Sequence, residues 1–280
     1  MLRKKLFNDN WHFSKQKLHT GLEGVSKPDT VWIPVDLPHD WLIYDTENLY
    51  EDSEGWYKKS FTVDRLDRVY SIRFEGVYMD STVYVNDKVA GEWKYGYSTF
   101  EFDITGLLRA GDNEIKVRVV YQSPNTRWYS GAGIYRNVYL LVRDPVHLVS
   151  DGIYISTEKL DGSWRVLVDT EAVNKGEGSV EALIRHTVLD MEGNAVAISV
   201  NKAVLGTSLH IDQQALTVES PRLWDHEDPY LYTLKTELVK DGRTVDEESC
   251  KFGFRTLHFD TDKGFFINGK YLKLHGVCQH

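Results

Sequence analysis

The sequence predicts an all-β protein built from two successive sandwiches. Three observations carry this. Apolar and polar residues alternate with period two through most of the chain, turn residues cluster between the alternating runs, and no stretch keeps a helical period for any length. At 280 residues there is room for two domains and a further piece.

The first region opens loop-rich, from Leu6 to Asp40. Its run Val31-Trp32-Ile33-Pro34-Val35-Asp36-Leu37-Pro38 holds two prolines, which confines it to an edge or an extended segment. An acidic loop follows from Glu47 to Glu54, and then the strands are clean. Tyr57, Lys59, Phe61 and Val63 alternate with Lys58, Ser60 and Thr62; Tyr70, Ile72 and Phe74 alternate with Ser71 and Arg73. From Phe74 to Thr105 the pattern is a hairpin with Val83 and Val85 on one face. It turns at Asn86-Asp87, two residues that tolerate positive φ. Six of the aromatics in that segment (Phe74, Tyr78, Tyr84, Trp93, Tyr95, Tyr97) already offer more apolar area than one hairpin buries, so it belongs inside a larger sheet. After a turn at Gly111-Asp112-Asn113, the residues Ile115, Val117, Val119 and Tyr121 alternate with Lys116, Arg118 and Val120. Val138 to Val142 closes the region before Asp144-Pro145. Many short alternating strands of this kind indicate a two-sheet sandwich of jelly-roll type.

The second region has a different rhythm. Trp164, Val166 and Val168 alternate with Arg165 and Leu167, a longer strand runs from Val180 to Leu189, and others cover Tyr230 to Val239 and the neighbourhood of Glu247 to Phe254. Turns fall at Asp161-Gly162, Glu192-Gly193-Asn194 and Asp241-Gly242. About seven short strands in roughly 110 residues match an immunoglobulin-like sandwich, here without the Cys…Trp…Cys spacing. The last stretch, Gly264 to His280, reads as a hairpin at Asn268-Gly269 and then an apolar strand, Tyr271 to Val277. Such a strand requires burial on both faces, as in a parallel barrel. The expected domains are residues 1–144, 145–257 and 258–280.

A net charge of −9 argues against nucleic acid or an anionic membrane as partner. No apolar run approaches the roughly 20 residues of a membrane-spanning helix. The basic N-terminus is followed by polar residues where a signal peptide has an apolar core, so a cytoplasmic location is expected. Cys250 and Cys278, two cysteines in all, make no disulfide framework. The ten histidines are scattered, and Cys278-Gln279-His280 is too tight for two ligands on one zinc ion. There is no phosphate-binding Gly-rich loop and no nucleophile elbow. The 12% aromatic content suits sugar-binding surfaces and large β-sandwiches alike.

Four segments together resemble the family-two glycoside hydrolases, which include β-galactosidases, β-glucuronidases and β-mannosidases. F-E-G-V-Y…V-Y-V-N-D…G-Y-S-T-F-E-F-D-I-T, from Phe74, is similar to the hairpin of that family's sugar-binding jelly roll. W-Y-S-G-A-G-I-Y-R-N-V, from Trp128, resembles the last loop and strand of the same domain. L-W-D-H-E-D-P-Y-L-Y-T-L, from Leu223, with Gly253-Phe254-Arg255, resembles the end of the family's immunoglobulin-like domain. N-G-K-Y-L-K-L-H-G-V-C-Q-H, to His280, is similar to the entry into its catalytic (β/α)8 barrel. Leu37-Pro38-His39-Asp40-Trp41 resembles the β-galactosidase members in particular.

The resemblance implies a retaining glycosidase of β-galactosidase type, whose substrate is a β-linked glycoside. Its two catalytic glutamates lie on a downstream catalytic barrel, beyond the residue corresponding to His280. This chain then holds no catalytic residue and is expected to be inactive alone, because retaining chemistry needs two carboxyl groups about 5–5.5 Å apart. A participating Mg²⁺ or Na⁺ is left open for the full-length enzyme, as is a homo-oligomer, since family members form dimers or tetramers. The alternative is a stand-alone carbohydrate-binding or interaction protein of two sandwiches; the unpaired apolar strand at Leu272 to Val277 argues against it.

The resemblance also selects candidate substrate-binding residues. His280 matches a histidine at the end of barrel strand one, where active-site residues sit. Arg127 and Trp128 lie in a jelly-roll loop that reaches the active-site mouth. Some β-galactosidases carry a cation-binding aspartate there, and Arg127 departs from it. Asp52, with Glu51 and Glu54, lies in a second such loop; a solvated acidic loop is the plain alternative. For His39-Asp40, adjacent residues on an extended segment point to opposite sides, so the pair reads as a structural corner and not as a general base. Arg136 and Arg255 read as loop-pinning guanidinium groups.

Overall fold

The computed structural model describes residues 3–278. The chain divides into two compact units at Arg143/Asp144. The first holds ten strands: β1 (Arg3–Leu6), β2 (Trp11–Gln16), β3 (Ile33–Val35), β4 (Ser53–Val63), β5 (Val69–Phe74), β6 (Ser81–Val85), β7 (Lys88–Trp93), β8 (Phe100–Asp103), β9 (Gly111–Tyr121) and β10 (Val138–Arg143). They form two antiparallel sheets, β1-β10-β5-β8 and β3-β2-β4-β9-β6-β7. This is the jelly-roll sandwich the alternation predicts. The proline-bearing β3 is an edge strand on β2. One short helix, α1 (Gly21–Val25), sits in the β2–β3 connection.

Alternation explains the core of this unit. Tyr70, Ile72 and Phe74 on β5 turn inward against Val83 and Val85 on β6 and Ile115, Val117 and Val119 on β9. The β6–β7 turn has Asn86 at φ 51° and Asp87 at φ 64°, the geometry a two-residue hairpin with matching twist requires. Asn86 also acts as a clasp: its amide donates to the carbonyl of Leu107 (2.9 Å) and to Asn113 Oδ1 (2.8 Å), and its Oδ1 accepts from the Glu114 amide (3.1 Å). Strand β9 starts at Gly111, so the residues read as a turn at 111–113 begin the strand, with Gly111 alone at positive φ.

The second unit holds the seven strands of an immunoglobulin-like sandwich: β11 (Val146–Lys159), β12 (Ser163–Asn174), β13 (Val180–Leu189), β14 (Ala195–Leu205), β15 (His210–Glu219), β16 (Tyr232–Lys240) and β17 (Arg243–Phe252). They form the sheets β11-β12-β15 and β14-β13-β16-β17. The Leu223–Leu234 motif and Gly253-Phe254 close one end. Leu223 bridges Phe254, the Trp224 amide donates to the Phe254 carbonyl (2.8 Å), and a Cβ at Gly253 would meet Trp224 at 2.8 Å.

The core of this unit is split. One apolar cluster centres on Trp164, Val166, Leu234 and Phe254, and the other on Leu148, Ile184, Leu205 and Leu238. Between them lies fully buried His186 of β13, with Thr170 of β12 at 3.3 Å from Nε2 and Thr236 of β16 at 3.0 Å from Nδ1. Beyond it, Gln214 of β15 donates to Asp212 (2.6 Å) and to the Ile184 carbonyl (3.0 Å). The alternation pattern marks inward positions but does not show that Thr170, His186, Asp212, Gln214 and Thr236 pair with one another there.

Three further strands follow: β18 (Leu257–Asp260), β19 (Gly264–Ile267) and β20 (Lys270–Tyr271). The hairpin at Asn268-Gly269 is present, both residues at positive φ. The apolar strand expected over Tyr271 to Val277 pairs only at Lys270–Tyr271. Residues 273–278 are exposed and outside any strand, because no neighbouring strand among the described residues offers a ladder.

Burial lowers the His186 pKa from 6.5 to about 4, against the partial opposition of Asp212. The folded chain therefore holds the imidazole neutral where the unfolded chain, titrating near 6.5, takes up a proton. Stability contributed by the neutral ring is full above pH 6.5 and is lost as pH falls toward 4. In urea titrations the stability difference between wild type and His186→Gln should shrink over that window and stay flat above pH 7.

Candidate functional site

One end of the first unit gathers the loop-borne candidates. The sequence Leu37-Pro38-His39-Asp40-Trp41 forms a corner, through a cis Leu37–Pro38 bond, that grips the loop between β9 and β10. The His39 amide donates to the Ile134 carbonyl (2.9 Å) and the Trp41 amide to the Ala132 carbonyl (3.0 Å). The Asp40 carboxylate uses both oxygens. Oδ1 accepts from the amides of Leu42 (3.0 Å) and Ala132 (3.1 Å), and Oδ2 accepts from the Tyr129 hydroxyl (2.6 Å). His39 faces elsewhere, its Nδ1 2.8 Å from the Tyr57 hydroxyl. The two adjacent side chains have separate partners, as the corner reading predicts.

The electrostatics fit clamping and not proton transfer. Burial, and then the Asp40 carboxylate accepting its proton, push the Tyr129 phenol well above its ordinary range. Burial holds the His39 imidazole below its usual pKa, with Asp40 opposing, so it stays neutral at physiological pH.

Glycines let the loop approach. Gly133 has φ 141°, and a Cβ there would lie 2.2 Å from the His39 carbonyl oxygen; at Gly131 it would lie 2.8 Å from Asp40 Oδ2. Tyr78 and Gly133 also exchange two backbone hydrogen bonds of 2.9 Å. The G-A-G of the motif is thus a contact requirement.

Asp52 caps the same loop from the other side: its Oδ1 accepts from the Ser123 amide at 2.7 Å. It is exposed, as expected, but its first role is to hold residues 122–131. Glu51 is exposed and ion-paired with Lys15. Glu54 corrects the sequence reading. It is not part of a solvated acidic loop but lies on β4, fully buried, because Arg118, Trp56 and the His19 and Gly21 amides all donate to it (2.6, 3.0, 2.8 and 3.4 Å). Burial raises its pKa, but the Arg118 and Trp56 hydrogen bonds and the Arg118 charge outweigh that and hold it below the usual value.

Arg127 and Trp128 stand at the loop's tip, both exposed. Arg127 makes no hydrogen bond or ion pair among the described residues. The structure therefore brings Asp52, Arg127 and Trp128 to one loop, while His280 lies outside the described residues. Arg136 stacks on Tyr135 (5.7 Å) and Arg255 on Trp224 (4.8 Å), structural placements both.

Asp40 and Glu54 have both carboxylate oxygens on structural donors, whereas Asp52 gives one oxygen to the Ser123 amide. Among the described residues, the one group of three carboxylate and histidine side chains within ligand distance of one another is Asp225-His226-Glu227, in the second unit. There Asp225 takes part in a turn, accepting from the Glu227 amide (3.2 Å) and lying 2.9 Å from His226.

A jelly roll followed by an immunoglobulin-like sandwich is the order of the two domain models the chain matches. Residues 8–145 match the model of the glycosyl hydrolases family 2 sugar binding domain, and residues 146–255 match the glycosyl hydrolases family 2 model. The chain belongs to glycoside hydrolase family 2. It is 38% identical to the β-galactosidase BoGH2A of Bacteroides ovatus, over 98% of this chain and 34% of that protein. It is 32% identical to a β-glucuronidase of Bacteroides fragilis, over 98% of this chain and 41% of that protein. Among solved structures, a family 2 member from Bacteroides cellulosilyticus superposes with TM-score 0.87 at 31% identity, covering 97% of this chain and 39% of that one. The chain spans about a third of the length of the curated relatives it matches.

The clamp predicts that Gly133→Ala, whose Cβ would strike the His39 carbonyl at a φ that L residues avoid, destabilises the first unit by about 3 kcal/mol or more. Urea unfolding followed by the fluorescence of buried Trp11 and Trp56 measures it.

Proposed function

We propose that the chain is the non-catalytic N-terminal region of a retaining β-galactosidase, inactive alone and active as part of a longer polypeptide. The observation that carries the reading is the unbroken match of residues 8–145 and 146–255 to two successive domains of one hydrolase family. Galactoside is placed first because the 38% identical relative is a β-galactosidase and because of the Leu37–Trp41 corner. In this reading the jelly roll supplies contacts at Asp52, Arg127 and Trp128 that orient the glycoside. Two glutamates elsewhere in the polypeptide do the bond-breaking. Contacts remote from the scissile bond raise rate as well as affinity when they position the sugar.

A β-glucuronide is the second reading, favoured by the 32% identical β-glucuronidase and by the unpaired Arg127, since a guanidinium fork suits a carboxylate. A nitrophenyl glycoside panel on the full-length enzyme separates them. The expected result is highest kcat/KM on the β-galactoside and no turnover by residues 1–280 alone. Preference for the β-glucuronide would select the second reading, and turnover by the 280-residue chain would overturn the non-catalytic assignment.

A further inference from the structure

The sheet β14-β13-β16-β17 has two edges of opposite character. Five of the ten residues of β17 are charged (Arg243, Asp246, Glu247, Glu248, Lys251), a common way of keeping an open edge from pairing with another chain. The other edge, β14, has one charge in eleven residues, Lys202. Alternate side chains of β14 point away from the core, and apart from Lys202 the row from Val196 to Val204 is β-branched and apolar. Val196, Ile198, Val200 and Val204 are 40%, 62%, 47% and 63% exposed. Strand β14 pairs with β13 on one side, and among the described residues no strand pairs with it on the other.

The exposed row cannot turn inward. The intervening side chains are bound across the sandwich to β15: the Ser199 hydroxyl donates to Gln214 and the Asn201 amide to Asp212 (3.0 Å), while Ala203 is buried. A slip of one residue would send each of these groups to the opposite face, so the register of β14 is pinned. The free amides and carbonyls of its outer edge are thereby held extended, ready for a further ladder.

Self-complementarity identifies what completes that ladder. Strand β14 runs from Ala195 to Leu205, and Val200 is its midpoint. Two copies set antiparallel about a two-fold axis at Val200 pair over the whole strand. Val200 then lies opposite Val200 of the second copy, and Val196 opposite Val204. Ile198 lies opposite Lys202, whose methylene stem covers apolar surface while its ammonium stays in water. On the inner face the small residues match, Ala197 with Ala203 and Ser199 with Asn201. Centring the pair on Lys202 would instead set two like charges face to face, which is destabilising. Two eleven-residue edges with these side chains bury on the order of 1,000 Å² in all, the threshold of a specific interface, so association in the micromolar range is expected.

We propose that β14 is a dimerisation edge, which joins two copies of this chain about a two-fold axis at Val200 and merges two four-stranded sheets into one continuous sheet. The proposal does not depend on the glycosidase reading.

Sedimentation velocity of the 280-residue chain, from low to several hundred micromolar, tests the edge. The expected result is a concentration-dependent passage from monomer to dimer. Val200→Lys, which sets like charges on the axis, should weaken self-association by about tenfold or more, with thermal unfolding at low concentration unchanged because the side chain is half-exposed. Should that variant unfold, cysteine pairing carries the test. The background is Cys250→Ser, Cys278→Ser, treated with diamide, which takes up the two electrons and two protons released as two thiols close to a disulfide. There Val200→Cys should give a covalent dimer, and Val204→Cys, which faces Val196, should not. A monomer at every concentration, or a dimer that Val200→Lys leaves at full strength, would overturn the proposal. So would a monomeric full-length enzyme whose β14 amides are protected from hydrogen exchange, since the rest of the polypeptide then covers the edge.

Discussion

The end of the first unit that carries the candidate residues depends on one carboxylate. Asp40 accepts three hydrogen bonds, two of them from the loop that joins β9 to β10. That loop carries every described residue the resemblance selects, apart from Asp52, and Asp52 caps it from the opposite side. A surface loop of this length tends to sample many conformations. Here two anchors, two glycines without room for side chains and a pair of backbone bonds from Tyr78 reduce it to one. Presentation of Arg127 and Trp128 follows from that reduction.

Both units also place polar groups where the alternation pattern implies apolar ones, and each solves the cost differently. In the jelly roll the buried Glu54 is neutralised by Arg118 and satisfied by amide and indole donors, which offsets the desolvation of its charge. In the immunoglobulin-like sandwich the buried group is a histidine kept neutral, so no ion pair is needed and two threonine hydroxyls suffice. The first solution ties the segment around His19 to the sheet; the second joins two halves of a core that would otherwise be separate apolar clusters.

How far the sequence reveals this depends on the range of the interaction. Asn86-Asp87 and Asn268-Gly269 are legible as hairpins because positive φ is a local property of two residues. The separate roles of His39 and Asp40 are legible because an extended backbone alternates its side chains. The polar status of Glu54 is not: a glutamate after Glu51 and Asp52 looks like a solvated run, and only its partner Arg118, 64 residues away, buries it. The place of His186 between Thr170 and Thr236 is hidden for the same reason.

The central claim is that the Asp40 carboxylate, and not general packing, holds the loop that presents Arg127 and Trp128. Native-state amide hydrogen exchange of Asp40→Ala tests it directly. The account predicts exchange at least about tenfold faster for amides of residues 122–134, with β4 and β5 protected as in wild type. Unchanged exchange in that loop, or a uniform loss of protection across the whole first unit, would contradict it.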